Sequence, residues 1–305
     1  MTGAPRNDDP PAGGRWAQED LARVFEAERP RLLGVAYATT GSLAEAEDCV
    51  QDAWLRLRRL EDPSVIRDLP AWLTTTVGRL ALDALGSARV RRERYVGPWL
   101  PEPLVGTARE DDPADRVTLD ESVSMALLVV LERLSPAERT AFLLHDVFGV
   151  PFDEVADVVG RTPVAVRRLA SRARKHVEDG LPRFPPTYDE QRELVAAFTA
   201  ACQGGDLDRL LSVLDPAVTL RGDGGGKVPA VGRIEGGADR VARTLVGFTA
   251  HPAVDVRIAD VNGAPGLVLR DPAGVLTVMA FTVDAGRITA IDAIRNPDKL
   301  PGVRF

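Results

Sequence analysis

Apolar residues recur at helical spacing through the first half of the chain and fall into short, turn-bounded runs in its last third. From Gln18 to about Gly41, the positions Leu21, Val24, Phe25, Leu32, Leu33, Val35, Ala36 and Tyr37 predict helical segments. A second helix is predicted over LAEAEDCVQDAWLRLRRL, opened by Ser42 with Glu45 three positions later, the pattern of a capping box. Its stripe is Leu43, Ala46, Val50, Ala53, Trp54 and Leu57, and its other face carries Glu45, Asp48, Gln51 and Asp52. After a proline-bounded loop, Glu61 to Pro70, a third helix places Trp72, Leu73, Val77, Leu80, Ala81 and Leu85 on one side and ends in Arg89, Arg91, Arg92 and Arg94. Threonines 74 to 76 and the nearby arginines would suit a separated nucleic-acid strand, with Trp72 either in the core or receiving a base.

Two shorter helices are predicted around Gly160. Val155, Ala156, Val158 and Val159 form the first stripe, and glycine stops it. Thr162 and Pro163 restart the helix in the order of hydroxyl cap and proline at the first position, where the missing N–H costs nothing. The second helix turns Val166, Leu169, Ala170 and Ala173 inward and Arg167, Arg168, Ser171, Arg172, Arg174 and Lys175 outward. A glycine turn between two short helices, the second basic, predicts a helix-turn-helix that lays its second helix in a DNA major groove.

From about Thr187 the pattern changes. A helix over Asp189 to Gln203 and an apolar stretch, Leu207 to Leu214, precede short runs at 218–221, 254–261, 267–270, 275–283 and 288–294. The turn pairs Asn262-Gly263, Asp271-Pro272 and Ala285-Gly286 separate them. Helices followed by a curved antiparallel sheet predict an α+β cone. Between the two halves, prolines 98, 101 and 103 favour an extended linker. Its WLPEPL run, Trp99 to Leu104, is expected to dock in a groove, because a tryptophan in a solvated linker is poorly explained.

Charge sharpens this picture. The 305-residue chain has a formal net charge of -7, yet Arg161 to Lys175 holds six basic residues and no acid. Phosphate neutralisation is the plainest use of that reversal. The acidic face of the second helix suits a basic protein partner. No apolar run approaches membrane length and no charged leader precedes one, so a cytoplasmic protein with no membrane partner is expected. Residues 1–14 are expected to be a disordered leader. Cys49 and Cys202 lie far apart and share no metal-type spacing with His145, His176 or His251, which argues against a disulfide framework, a metal or a cofactor. The DGGGK stretch, Asp223, Gly224, Gly225, Gly226 and Lys227, is not a Walker motif, because Arg221 and Val228 stand where Gly and Ser or Thr are required. Asp255 and Asp292 could face the interior of the cone, but neither has an evident partner, and His251 precedes a proline. No enzyme is therefore expected.

Taken together, DCVQDAWLRL, AWLTTTVGRLALDAL and the block from Ser135 to Lys175 resemble regions 2 and 4 of the extracytoplasmic-function sigma factors of the sigma-70 family. WLPEPL, DGGGK and the NPDKL run, Asn296, Pro297, Asp298, Lys299 and Leu300, resemble signatures of the SigJ-like subgroup, whose C-terminal extension is SnoaL-like and of the NTF2-like fold. The resemblance implies an all-α region 2 over 15–95, a linker over 96–125, a helix-turn-helix region 4 over 126–180 and a SnoaL-like domain over 188–305. It implies core RNA polymerase and promoter DNA as partners. Asp48, Asp52 and Trp54 would lie on the polymerase-binding helix, and Thr75, Arg79 and Asp83 would face the minus-ten element. Arg167, Arg168 and Arg172 would read the minus-thirty-five element, with Arg174 and Lys175 on phosphate. Trp99, Leu100, Pro101, Glu102, Pro103 and Leu104 would join DGGGK and NPDKL in a regulatory surface, and the cone leaves room for a small-molecule ligand. Two other readings remain, a ligand-sensing helix-turn-helix regulator and a DNA-tethered SnoaL-like enzyme.

Overall fold

The first apolar stripe folds as one helix: α1 (Gln18–Thr40) runs unbroken through Pro30. The structure, a computed structural model, describes residues 18–92, 95–106, 123–235, 237–249 and 254–305. The leader expected over 1–14, Arg94 and His251 lie outside these residues, as do the side chains of Arg89, Arg91 and Arg92. Ser42 accepts the Glu45 backbone N–H and opens α2 (Leu43–Arg58), and α3 (Leu69–Arg92) follows a short 3-10 turn. Met125–Leu131 forms α4, and Pro136–Phe142 forms α5, opened by a reciprocal Ser135–Glu138 capping box. A π-helical turn over Leu143–Val147 leads to α6 (Phe152–Val159). Gly160 ends α6 at φ 67°, a left-handed conformation in which its lack of a Cβ avoids strain. Thr162 then accepts the Ala165 N–H at the start of α7 (Pro163–Gly180).

The described chain divides into two compact units, and the division differs from the segmentation read off the sequence. One unit takes the described residues up to Val90 together with Leu131–Asp179; the other takes Arg91–Val130 together with Gly180–Phe305. The linker thus packs with the C-terminal domain, because Leu100, Pro101 and Pro103 are buried there.

In the second unit, Thr187 and Glu190 cap α8 (Tyr188–Gly204), and α9 (Leu207–Val213) follows. Strands β1 (Val105–Gly106), β2 (Leu214–Asp223), β3 (Arg233–Glu235), β4 (Asp255–Val261), β5 (Ala264–Arg270), β6 (Leu276–Asp284) and β7 (Arg287–Ile294) form a sheet in the order β1-β4-β5-β6-β7-β2-β3. The curved antiparallel sheet expected from the turn pairs is corrected at one pair: β2 and β7 run parallel, and the linker itself supplies β1, paired Val105 to Val261. Parallel neighbours need a long connection, and the intervening β3 to β6 and α10 (Ala238–Thr249) provide it. That helix is absent from the sequence reading, although Val241, Ala242 and Leu245 carry its buried stripe. The concave face of the sheet meets α8 and α10 around Phe198, Leu220, Leu245, Met279, Phe281 and Ile291. Phe198 and Phe281 meet edge to face at 5.0 Å.

Candidate functional site

Opposite charges are presented by separate helices of the first unit. On α2, Ala46, Val50, Ala53 and Leu57 are buried, which leaves Asp48, Gln51 and Asp52 exposed on the opposite face. Trp54 is half-buried with its ring 4.8 Å from Phe25, so at least part of it is structural. The negative field of this face registers on Cys49. Burial first, and then Glu45, Asp48, Asp52 and Asp83, push its thiol up to about 12. On α7, Val166, Ala170, Ala173 and Val177 are buried, and Arg167, Arg168, Arg172, Arg174 and Lys175 are all exposed. Neighbours steady three of them. Arg167 lies 5.2 Å over the Phe152 ring, Arg172 pairs with Glu138 at 3.1 Å, and Arg174 pairs with Asp146. The Ser135 hydroxyl, with Arg172 adding to it, holds the Glu138 carboxyl below its usual range.

Helix α3 meets this same helix-turn-helix. At Gly78 a Cβ would stand only 3.1 Å from Leu144 and 3.5 Å from Val158, so glycine permits the close approach. Arg79 donates to the Asp157 carbonyl at 2.6 Å, at the end of α6. Asp83 is exposed and Thr75 half-buried. The reading of Thr74 as a base-receiving hydroxyl is corrected. It is 2% exposed, donates to the Pro70 carbonyl at 2.8 Å and accepts from Arg31 at 2.8 Å. Arg31 also reaches the Phe148 carbonyl, and buried Arg139 on α5 donates to the Ala38 carbonyl on α1 at 3.0 Å. Guanidinium groups therefore tie regions of distant sequence together inside this unit.

In the second unit, three separated motifs converge on one carboxylate. Asp223, fully buried, accepts from the Tyr95 hydroxyl at 2.6 Å, the Leu100 N–H at 2.9 Å, the Gly225 N–H at 3.0 Å and Lys299 Nζ at 2.7 Å. Four donors on one carboxylate satisfy the hydrogen-bonding capacity that burial would otherwise leave unmet. Lys299 also donates to the Leu100 carbonyl and sits 4.0 Å over the Trp99 ring and 5.0 Å from that of Tyr95. Gly225 turns at φ 61°, and a Cβ there would lie 2.5 Å from the Asn296 amide, so DGGGK and NPDKL touch through a glycine. Lys227 and Asp298 close the exposed side at 2.6 Å. Asn296 donates to the Tyr95 hydroxyl at 2.8 Å and caps the short turn Pro297–Lys299, while Leu300 is buried. Glu102 and Leu104 are half-buried.

Two residues of this clasp escape the sequence reading. Tyr95 carries no motif signal; burial, followed by its bond to Asp223, raises its phenol. Asn262 reads only as a turn residue, and it is one, at φ 50°. It is also 2% exposed and grips the linker, accepting from Leu104 N–H at 3.0 Å and donating to the Leu104 and Val123 carbonyls at 2.9 and 3.3 Å. Asp292 does not face the cone interior: its neighbours Ile291 and Ala293 do, and Asp292 pairs with Arg221 at 2.5 Å. Burial raises its carboxyl and Arg221 pulls it back. Asp255 is exposed and paired with Arg270 at 2.7 Å. Among the described residues no cluster of His, Cys, Asp and Glu could hold a metal, and no helix is long and apolar enough to cross a membrane.

The family model for sigma-70 region 2 matches residues 24–91, and that for sigma-70 region 4 matches residues 124–177. The chain is 44% identical over 290 residues to the ECF RNA polymerase sigma factor SigJ of Mycobacterium tuberculosis, a match covering 91% of this chain and 92% of that one. A probable ECF sigma factor of that species, SigI, is 36% identical over 289 residues, 94% of this chain and 97% of the relative. The crystal structure of M. tuberculosis SigJ superimposes with a TM-score of 0.77 at 42% identity, covering 92% of this chain and 99% of that one.

Proposed function

Since the chain belongs to the extracytoplasmic-function sigma factors of the sigma-70 family and directs core RNA polymerase to promoters for transcription initiation, we propose that its C-terminal domain sets that activity by gripping the linker between regions 2 and 4. The observation that carries the proposal is Asp223, which binds linker and domain motifs at once, with Lys299 clamped between the linker's Trp99 and that carboxylate. A linker held in this way limits the separations that regions 2 and 4 can adopt. Reaching two promoter elements depends on that separation.

The surfaces that meet the partners follow the exposed charges. Asp48 and Asp52, with Trp54 at the edge of the core, offer carboxylates to core polymerase. Arg167, Arg168 and Arg172 meet base edges in the minus-thirty-five element, and Arg174 and Lys175 meet phosphate. Thr75, Arg79 and Asp83 face the minus-ten element. In the free chain Arg79 is engaged with the carbonyl end of α6, so minus-ten recognition requires that contact to be exchanged for DNA. Thus region 4 masks part of region 2 until promoter and polymerase compete for it.

We assign no catalysis to the C-terminal domain, because Asp292 and Asp255 are both bound in ion pairs with arginine. We place the protein in the cytoplasm with the polymerase it serves. The test is run-off transcription with core polymerase on a cognate promoter, comparing the wild-type chain with Trp99→Ala and Asp223→Asn. The grip predicts an altered transcript yield in both variants at matched occupancy of core polymerase. Yields equal to wild type in both would refute it.

A further inference from the structure

The concave face of the C-terminal sheet is not filled by its helices. A cavity of about 310 Å³ remains, with Leu220 on β2, Met279 on β6 and Ala293 on β7 as its floor and Leu245 of α10 and Val231 as its walls. Its volume is at the lower end of the range of small-molecule sites, and its lining is mainly apolar. Arg295 stands at the edge with its side chain 9% exposed, fixed by Asp271 at 2.7 Å. A second observation points the same way. Gly247 of α10 also lines the cavity, in ordinary helical backbone, and a Cβ there would meet no atom within 4 Å. Glycine weakens a helix interior, and neither a turn nor a close approach requires it here. Its effect is to leave the space open.

Two of the strands that floor the cavity, β2 and β7, run into the clasp. Leu220 is three residues before Asp223, and Arg295 immediately precedes Asn296. Arg295 and Asn296 donate their backbone N–H groups to the Asp223 carbonyl at 2.7 and 2.9 Å. The cavity wall that holds Val231 is tied to β2 where the Gly222 N–H meets the Gly232 carbonyl at 2.6 Å. A molecule that shifts Arg295 or this wall therefore moves the backbone on which Asp223 is mounted.

We propose that this cavity binds a small, predominantly apolar molecule bearing one oxygen acceptor directed at Arg295, and that its occupancy is coupled to the linker clasp. The coupling half rests on the clasp reading above; the binding half does not.

The probe is 1-anilinonaphthalene-8-sulfonate, an aromatic anion, titrated by fluorescence into the full chain and displaced by 2-naphthoate. We expect saturable one-site binding. Gly247→Leu fills the mouth and should weaken binding at least tenfold while the melting temperature holds or rises, and Ala230→Trp blocks the same space from the loop. Wild-type affinity in both blocking variants overturns the site. Coupling is reciprocal, so Asp223→Asn should change probe affinity fivefold or more. Linker proteolysis of the same variant separates the two readings. A linker cut faster with unchanged probe affinity overturns the coupling and leaves the clasp standing, whereas an unchanged cutting rate counts against the clasp itself. A fivefold change in affinity together with loss of binding in Gly247→Leu and Ala230→Trp supports the proposal in full.

Discussion

The basic face of α7 and the clasp around Asp223 use charge in opposite ways. On α7 the arginines are exposed, and the ion pairs they make, with Glu138 and Asp146, lie at the surface. Such pairs contribute about 0–1 kcal/mol each, so DNA phosphate can replace them at little cost. In the clasp Asp223 is fully buried and Lys299 has 11% of its side chain exposed, so the pair can be neither hydrated nor exchanged without opening the structure. In the proposed function the first surface changes partners and the second holds one. Burial, rather than charge, is what differs between the two, and the proposed function rests on that difference: an exposed face to meet promoter DNA and a buried pair to restrain the linker.

The contrast breaks hardest at Asp223. Asp223→Ala strands Lys299 and removes the acceptor of three further donors, and breaking a buried pair in this way costs about 3–5 kcal/mol. Denaturant unfolding of the full chain should show that loss in the C-terminal unit, with proteolysis between residues 95 and 106 accelerated. Unchanged unfolding would mean that the clasp is not a restraint. Arg168→Ala should act the other way round: promoter binding by the holoenzyme falls by about 1–3 kcal/mol, more for a cognate than a scrambled minus-thirty-five element, with stability unchanged. Lys175→Ala is expected to be milder still, weakening binding to all sequences alike and reducing the salt slope by about 1. A stability loss in either variant would erase the distinction between the two surfaces.

The helix-turn-helix and the exposed basic face of α7 were legible in the sequence because their determinants are local. A glycine stop, a Thr-Pro restart and a run of arginines lie within one stretch, and helical spacing assigns each to a face. The clasp was legible only as motifs. Spacing cannot show that Tyr95, Asp223 and Asn296 share hydrogen bonds across 128 and 201 residues. Asn262 was hidden more deeply, because the left-handed turn that explains an asparagine there accounts for its identity without its grip on Leu104. Strand β1 was missed because a two-residue strand has no period of its own, and the parallel β2–β7 pair because turn signals report only sequential neighbours.

The smallest effect sharpens the comparison by titration. Tyr95 donates its hydroxyl to Asp223, and burial together with that bond holds its phenol above the ordinary value of about 10. The folded state keeps this proton more tightly than the unfolded chain does. The contribution is therefore complete below the ordinary phenol value and declines as the pH climbs beyond it. Linker proteolysis should quicken as the pH is raised from 9 to 10.5, once corrected for protease activity on an unfolded substrate. Tyr95→Phe removes one hydrogen bond, worth about 1 kcal/mol, and so should raise the rate at pH 9 while flattening its rise at higher pH. A rise as steep in the variant as in the wild-type chain would assign the alkaline opening to another group and leave Tyr95 a packing residue.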